Sequence, residues 1–241
     1  MRYAIISDIH ANLEALEAAA RAISRDKIDE FLSVGDIVGY GADPAACIKR
    51  VKSLTSVFVC GNHDAAASGA IDTESFNDAA RQAVLWTQKK LNGENEAFLR
   101  NLELVHKNNY LTLVHGTLQE PGAFHYMFDH EAAKRTFELM DTPVCFIGHS
   151  HAPGIFTYKN GTVNYFYKSK VKLEKDEKLI VNVGSIGQPR DGDPRLCYAI
   201  YDVDENSVEL KRHTYNIEKA QKKILDAGLP TFLAYRLEKG I

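Results

Sequence analysis

The stretch YAIISDIHANLEALEAAARAISRDKIDEFLSVGD, residues 3–36, decides the fold. It opens on the apolar run "YAIIS", which reads as a buried strand, and continues through "LEALEAAARAIS", whose apolar spacing is helical. It closes on a second strand-like run, "FLSVG". Immediately downstream, "PAACIKRVKSL" reads as a helix with Pro44 in its first turn, and "SVFVCG" as a third strand. This succession predicts a βαβαβ unit with parallel strands and right-handed crossovers.

Further along, "ESFNDAARQAVLWTQKKL" and "ENEAFLRNL" are helical, after which the pattern turns to β. "YLTLVHG" and "VCFIGH" read as strands on either side of a helix near residues 130–140. "GIFTYKNGTVNYFYKS" reads as two strands around an Asn160-Gly161 hairpin turn, and "KLIVNVG", "RLCYAIYDV" and "SVELKRHTY" add three more. A last helix spans about residues 217–227. The mixed-sign "KSKVKLEKDEK" reads as a solvated hairpin edge, and the alternating aromatics of "GTVNYFYKS" suit either the core or a homodimer face. Parallel strands early and hairpins late imply a mixed sheet, or two packed sheets, with helices outside.

A chain of 241 residues with 45% hydrophobic content can bury a full core as one domain. A net charge of −3 and a pI near 6.3 call for neither a nucleic acid nor an anionic membrane as partner. Cys47, Cys60, Cys145 and Cys197 form no CxxC, and three of them lie in apolar runs, so buried reduced thiols are expected. "MRYAIISDIH" enters a strand without a basic leader or cleavage site, and no apolar run is of membrane-spanning length, so a cytoplasmic location is expected.

The chemistry is concentrated just after the strands. "YAIIS" is followed by Asp8 and His10, "FLSVG" by Asp36, "SVFVCG" by Asn62, His63 and Asp64, "YLTLV" by His115, and "VCFIG" by His149 and His151. Any one of these could be a cap or a turn residue. Recurrence at five strand ends points instead to a shared crevice at the carboxyl rim of the sheet. Two aspartates, one asparagine and four histidines are too rich in imidazole for a calcium or magnesium cage and lack the thiolates of structural zinc. Manganese, iron, zinc or cobalt fit better, and the seven donors suffice for two ions if Asp36 on the middle strand bridges them.

In this order, "DIHANLEAL", "GDIVGYG", "GNHD", "VHGT" and "GHSH" closely resemble the five blocks of the calcineurin-like metallophosphoesterase superfamily. "NVGSIGQPRDGDPRLCYAIYD" is similar to the tail of a bacterial-type subfamily, whereas the last helix carries no such signal. The resemblance implies a four-layer α/β/β/α sandwich of two mixed sheets, with the metal motifs in residues 8–151 and the remaining strands and helix in 154–241. It also implies one ion held by Asp8, His10, Asp36 and His151, and another by Asp36, Asn62, His115 and His149. The turn between His149 and His151 would let them diverge, one to each ion.

Paired ions can lower the pKa of a bridging water and orient the resulting hydroxide for in-line attack on a phosphate ester. His63, beside Asn62 and not needed as a ligand, is the candidate proton donor. Arg190 is a candidate phosphate clamp, unless it pairs with Asp191 or Asp193, and Asn12 is placed to face the substrate or to cap the following helix. Asp64 either orients His63 or caps a turn. Protein Ser/Thr phosphatases and symmetrical dinucleoside tetraphosphate hydrolases of this superfamily carry GD-x-x-D-R-G at the second block. Here Gly39 and Tyr40 stand at its D and R, which argues against both activities and favours a phosphodiester or small phosphomonoester.

The alternatives are a non-catalytic binding or scaffold protein on the same fold and a nuclease of the same superfamily; every metal residue is retained and no basic stripe is evident. An eightfold-barrel amidohydrolase would carry HxH after its first strand, where this chain has Asp-x-His. Neither GxxxxGK[ST] nor GxGxxG follows a strand, which excludes P-loop and Rossmann nucleotide binding.

Overall fold

The structure is a computed structural model describing residues 1–241. In chain order its first half contains β1 (Arg2–Ile6), α1 (Leu13–Ile23), β2 (Glu30–Ser33), α2 (Pro44–Leu54), α3 (Asn62–Ala67), α4 (Asp78–Gln88), α5 (Gly93–Arg100), β3 (Val105–Lys107) and β4 (Leu111–Val114). The second half contains α6 (His130–Leu139), β5 (Val144–Ile147), β6 (Gly154–Lys159), β7 (Thr162–Phe166), β8 (Lys170–Lys172), β9 (Lys178–Asn182), β10 (Leu196–Asp202), β11 (Ser207–His213), α7 (Ile217–Asp226) and α8 (Thr231–Lys239).

Two mixed sheets result, ordered β2-β1-β10-β11-β8 and β3-β4-β5-β9-β6-β7. The alternation of side chains along a strand assigns the layers. Tyr3 and Ile5 of β1 face the second sheet and share a core with Leu113, Phe146, Val181 and Tyr201. Ala4 and Ile6 point the other way, onto Leu16 and Ile23 of α1 and Ile48 and Val51 of α2. On the far side, Cys145, Ile147 and Ile180 pack against Phe137 of α6. This is the α/β/β/α sandwich expected from the sequence, and its four cysteines are free and buried.

Local signals hold where they were strong. Asn12 caps α1 by accepting from Ala15 N at 3.1 Å, and Pro44 starts α2. Asn160 and Gly161 both take positive φ, 52° and 80°, as a two-residue hairpin turn requires. Other expectations need correction. "SVFVCG" forms only isolated bridges, Ser33 to Phe58 and Val59 to Glu103, because the chain turns into α3 at Asn62 before a ladder can grow. The Lys/Glu-rich edge pairs through β8 with β11 of the other sheet, not with β9, its successor in the chain. Tyr165 and Tyr167 are exposed at the edge of the second sheet, so these two rings are not core. The carboxyl end holds a second helix, α8, set off by Gly228 and Pro230. No helix is long and apolar enough to cross a membrane.

The first of the carboxyl-terminal helices, α7, is tied to α1 by charge. Glu14 of α1 lies 2.8 Å from Lys223 and 3.1 Å from Lys219 of α7. Burial by itself would raise its carboxyl, but the two lysines prevail and hold it below the ordinary value. A carboxylate lowered on folding stabilises above its unfolded pKa, and the contribution fades as pH falls through the folded one. Glu14→Gln is therefore expected to shift the urea midpoint down at pH 7, with the gap to wild type closing as pH falls below the ordinary glutamate range.

Candidate metal centre

The carboxyl ends of β1, β2, β4 and β5 meet at one rim. Asp8, His10, Asp36 and His151 each present a donor atom there, all within 4.8 Å of one another, and Asp36, His115 and His149 form a second such set. Asp36 belongs to both. Its Oδ2 lies 3.5 Å from His10 Nε2 and 3.3 Å from His115 Nε2, while its Oδ1 accepts from His63 N at 2.9 Å. Asp8 Oδ1 is 3.2 Å from His151 Nε2, and its carboxylate also accepts the His149 N–H.

The backbone bends sharply to achieve this. Asp8, His10, Asp36, Tyr40, His149 and His151 all have left-handed φ, between 48° and 67°. Such conformations cost of order 1–3 kcal/mol each in non-glycine residues and persist only where the surroundings enforce them. In the His-x-His turn they send His151 into the set with Asp8 and His10, and His149 into the set with His115. Glycines make the room: a Cβ at Gly61 would collide with Asp36, and one at Gly148 with Ser7 and Asp8.

The imidazoles are prepared as donors by bonds to backbone carbonyls. His10 Nδ1 is 3.0 Å from Val38 O, His115 Nδ1 2.7 Å from Val34 O, and His151 Nδ1 2.6 Å from Gln188 O. A carbonyl accepts only, so each Nδ1 carries a proton, and the neutral rings of His10 and His151 turn an Nε2 lone pair inward. His10 Nε2 and His151 Nε2 then face each other at 3.0 Å, an arrangement that a shared cation relieves. His115 Nε2 and Asn62 Oδ1 are likewise buried without a hydrogen-bond partner. Oxygen and imidazole donors in this proportion fit transition cations.

Burial opposes ionisation of Asp36, yet His115, His63 and His10 outweigh it and hold the carboxyl well below the usual range. Burial likewise opposes ionisation of Asp8, where His151 and His115 prevail. Burial lowers His10 and His151 and pushes His149 down to about 3, keeping these rings neutral. His115 is the exception: burial would lower it, but Asp36 raises it to about 9, a proton that a cation on Asp36 would displace.

An open pocket of about 450 Å³ gives access, lined by Asp36, Asn62, His63, His149, His151 and Arg190. His63 is 3% exposed, and burial pushes it down to about 4. Asp64 does not serve its ring, because its carboxylate accepts the N–H groups of Ile37, Val38 and Gly61. Arg190 has not been taken by its acidic neighbours: Asp191 pairs with Arg212, and Asp193 with Arg195 at 2.6 Å. Its guanidinium is steadied by Gln188 Oε1 and lies 5.5 Å from the centre of the Tyr40 ring. Of the two roles open to Asn12, the structure shows the helix cap. Both ends of its amide are committed, to Ala15 N and Gly187 O, and it does not line this pocket.

Aromatic walls went unread in the sequence. Tyr126 lies flat on His149 at 3.8 Å, Phe124 meets His115 edge-on, and Phe76 meets His63 edge-on. The only signal for Phe124 and Tyr126 is the density of rings in "AFHYMF", which has no strand or helix period, and Phe76 lies apart from it in "ESFND". His106, His125, His130 and His213 join neither donor set.

Comparison with known proteins agrees with this geometry. The calcineurin-like phosphoesterase superfamily domain matches residues 1–206. An uncharacterized protein of Methanocaldococcus jannaschii is 36% identical over 241 residues, covering 98% of this chain and 97% of its own. The crystal structure of a metallophosphoesterase from Sphaerobacter thermophilus superposes with a TM-score of 0.87 at 37% identity, covering 100% of this chain and 99% of that one. A hypothetical protein from Pyrococcus horikoshii OT3 shares the fold, with a TM-score of 0.79 at 19% identity over 100% of this chain and 98% of its own.

Proposed function

Because the chain belongs to the calcineurin-like phosphoesterase superfamily, we propose that it hydrolyses a phosphodiester or a small phosphomonoester with two transition cations. The observation that carries this reading is Asp36, whose single oxygen Oδ2 lies between His10 of one donor set and His115 of the other. Asp8, His10, Asp36 and His151 would hold one cation, and Asp36, Asn62, His115 and His149 the second. When bound, such a pair supplies Lewis acidity toward phosphoryl oxygens and a water acidic enough to attack near neutrality.

The chain's own groups do the rest. Asp36 and Asp8 provide the negative charge that retains the cations, while the neutral histidines leave a net positive pocket for a phosphate ester. His63 is the remaining imidazole on the pocket wall; burial keeps it neutral in the free site, and the negative charge of an entering phosphate ester would favour the protonated ring that then passes a proton to the departing ester oxygen. Arg190 reaches the same pocket with its guanidinium unclaimed by any carboxylate, and donates to a phosphoryl oxygen. The departure from GD-x-x-D-R-G at Gly39 and Tyr40 favours a diester or small monoester over a phosphoprotein. A cytoplasmic location, with a homodimer as one option for the assembly, belongs to the same reading.

The test is a screen of the protein loaded with manganese, iron, zinc or cobalt, comparing bis-p-nitrophenyl phosphate with p-nitrophenyl phosphate. Turnover of the diester supports the reading, turnover of the monoester alone removes the diesterase preference, and turnover of neither with any metal overturns it.

A further inference from the structure

His63 poses a problem of orientation. A histidine that moves a proton is ordinarily held by a hydrogen bond at its second nitrogen. Here Nδ1 is buried and has no partner, and Asp64 is spent on backbone N–H groups. Aromatic rings surround it instead: Tyr40 at 4.4 Å tilted by 48°, His10 at 4.8 Å and Phe76 at 5.0 Å, the last two edge-on. Beneath Nδ1 lies Gly39, where a Cβ would strike the ring.

Tyr40 touches three side chains of the site. Its ring meets His10 at 4.6 Å and His63 at 4.4 Å, and the Arg190 guanidinium lies over it at 5.5 Å. Left-handed φ at Gly39 and Tyr40, 90° and 57°, turns this side chain inward. It is 6% exposed and belongs to one apolar cluster with Ile224 of α7 and Leu233, Ala234 and Leu237 of α8. These helices lie beyond residue 206, where the family match ends.

We propose that Tyr40, braced by α7 and α8, is a positioning residue that orients His63 and places Arg190. Flat rings fix an imidazole by contact area and edge-to-face preference, and a guanidinium by cation–π attraction, without taking up its donors. His63 is thereby aimed into the pocket with no carboxylate behind it, and Arg190 keeps its remaining N–H groups for an anion.

This proposal rests on the phosphoesterase reading, so its test has two arms. In the first, the zinc-loaded full chain hydrolyses methyl p-nitrophenyl phosphate and methyl phenyl phosphate, which differ in how much the leaving oxygen needs a proton. Tyr40→Leu is expected to lose about tenfold more kcat on the phenyl ester than on the p-nitrophenyl ester, a fraction of what a general acid contributes. Tyr40→Phe, which keeps the ring, should recover most of that loss. On a His63→Ala background, Tyr40→Leu should leave kcat nearly where His63→Ala put it while still raising KM through Arg190. Equal losses on both esters, or full additivity with His63→Ala, would overturn the proposal.

The second arm reads the ring itself. In zinc-loaded protein labelled at histidine, the His63 ring resonances, assigned with His63→Ala, should be one sharp set in wild type and Tyr40→Phe. They should be broadened or doubled in Tyr40→Leu, or in Tyr40→Met if the leucine variant does not fold. Unchanged resonances overturn positioning by Tyr40. If zinc-loaded wild type hydrolyses neither ester, the diesterase preference fails and the kinetic arm with it, while the spectra still decide the role of Tyr40.

Discussion

Asp36→Asn is expected to reduce bound metal to one cation or fewer per chain and to lower kcat/KM by at least about 10²–10³. The amide is nearly the shape of the carboxylate, so packing survives, but the charge that both donor sets share is gone. If Asn places its NH₂ at Oδ2, it also turns a donor toward His10 Nε2 and His115 Nε2, which stand 3.5 and 3.3 Å away. No other side chain belongs to both sets, so none can take over. Elemental analysis of dialysed protein beside steady-state kinetics is the measurement. A variant retaining two cations and wild-type turnover would remove the shared-carboxylate account.

His63→Ala is expected to act differently, leaving metal content unchanged and lowering kcat by about 10²–10⁴ on esters with poor leaving groups. The loss should be smaller for p-nitrophenyl esters, whose leaving oxygen departs with little help. His63 lines the pocket and belongs to neither donor set, which is why metal retention and turnover should separate. Equal losses across leaving groups, or loss of metal, would assign His63 to the cations instead of the proton. Asn62→Ala is the informative contrast, because the orphaned Asn62 Oδ1 points to a cation role and both quantities should then fall.

Much of the site was legible because its chemistry is carried by residue types at strand ends. The continuous apolar runs around Tyr3–Ile6, Leu111–Val114 and Val144–Ile147 located those ends, and the recurrence of polar residues just after them pointed to one rim. Legibility failed where an element depended on a distant partner. The segment around Phe58 has strand composition, but a ladder also needs neighbours over several residues, and the chain turns at Asn62 first. Asn12 was ambiguous for a similar reason, since an N-cap and a ligand contact draw on the same amide; the carbonyl of Gly187 claimed its other end.

From residue identity and spacing alone, this chain is committed to alternating strands and helices and to aspartate and histidine donors just past several strands. Those properties follow from side-chain chemistry and local period, which a linear reading contains in full. The three-dimensional fold alone decided that His10 and His151, 141 positions apart, would meet at 3.0 Å, and that one oxygen of Asp36 would lie between two donor sets. It alone also decided which rings would hold His63. The carbonyls of Val34, Val38 and Gln188 that set the histidine tautomers are chemically the same as any other backbone carbonyl, so only their position in space gives them that role.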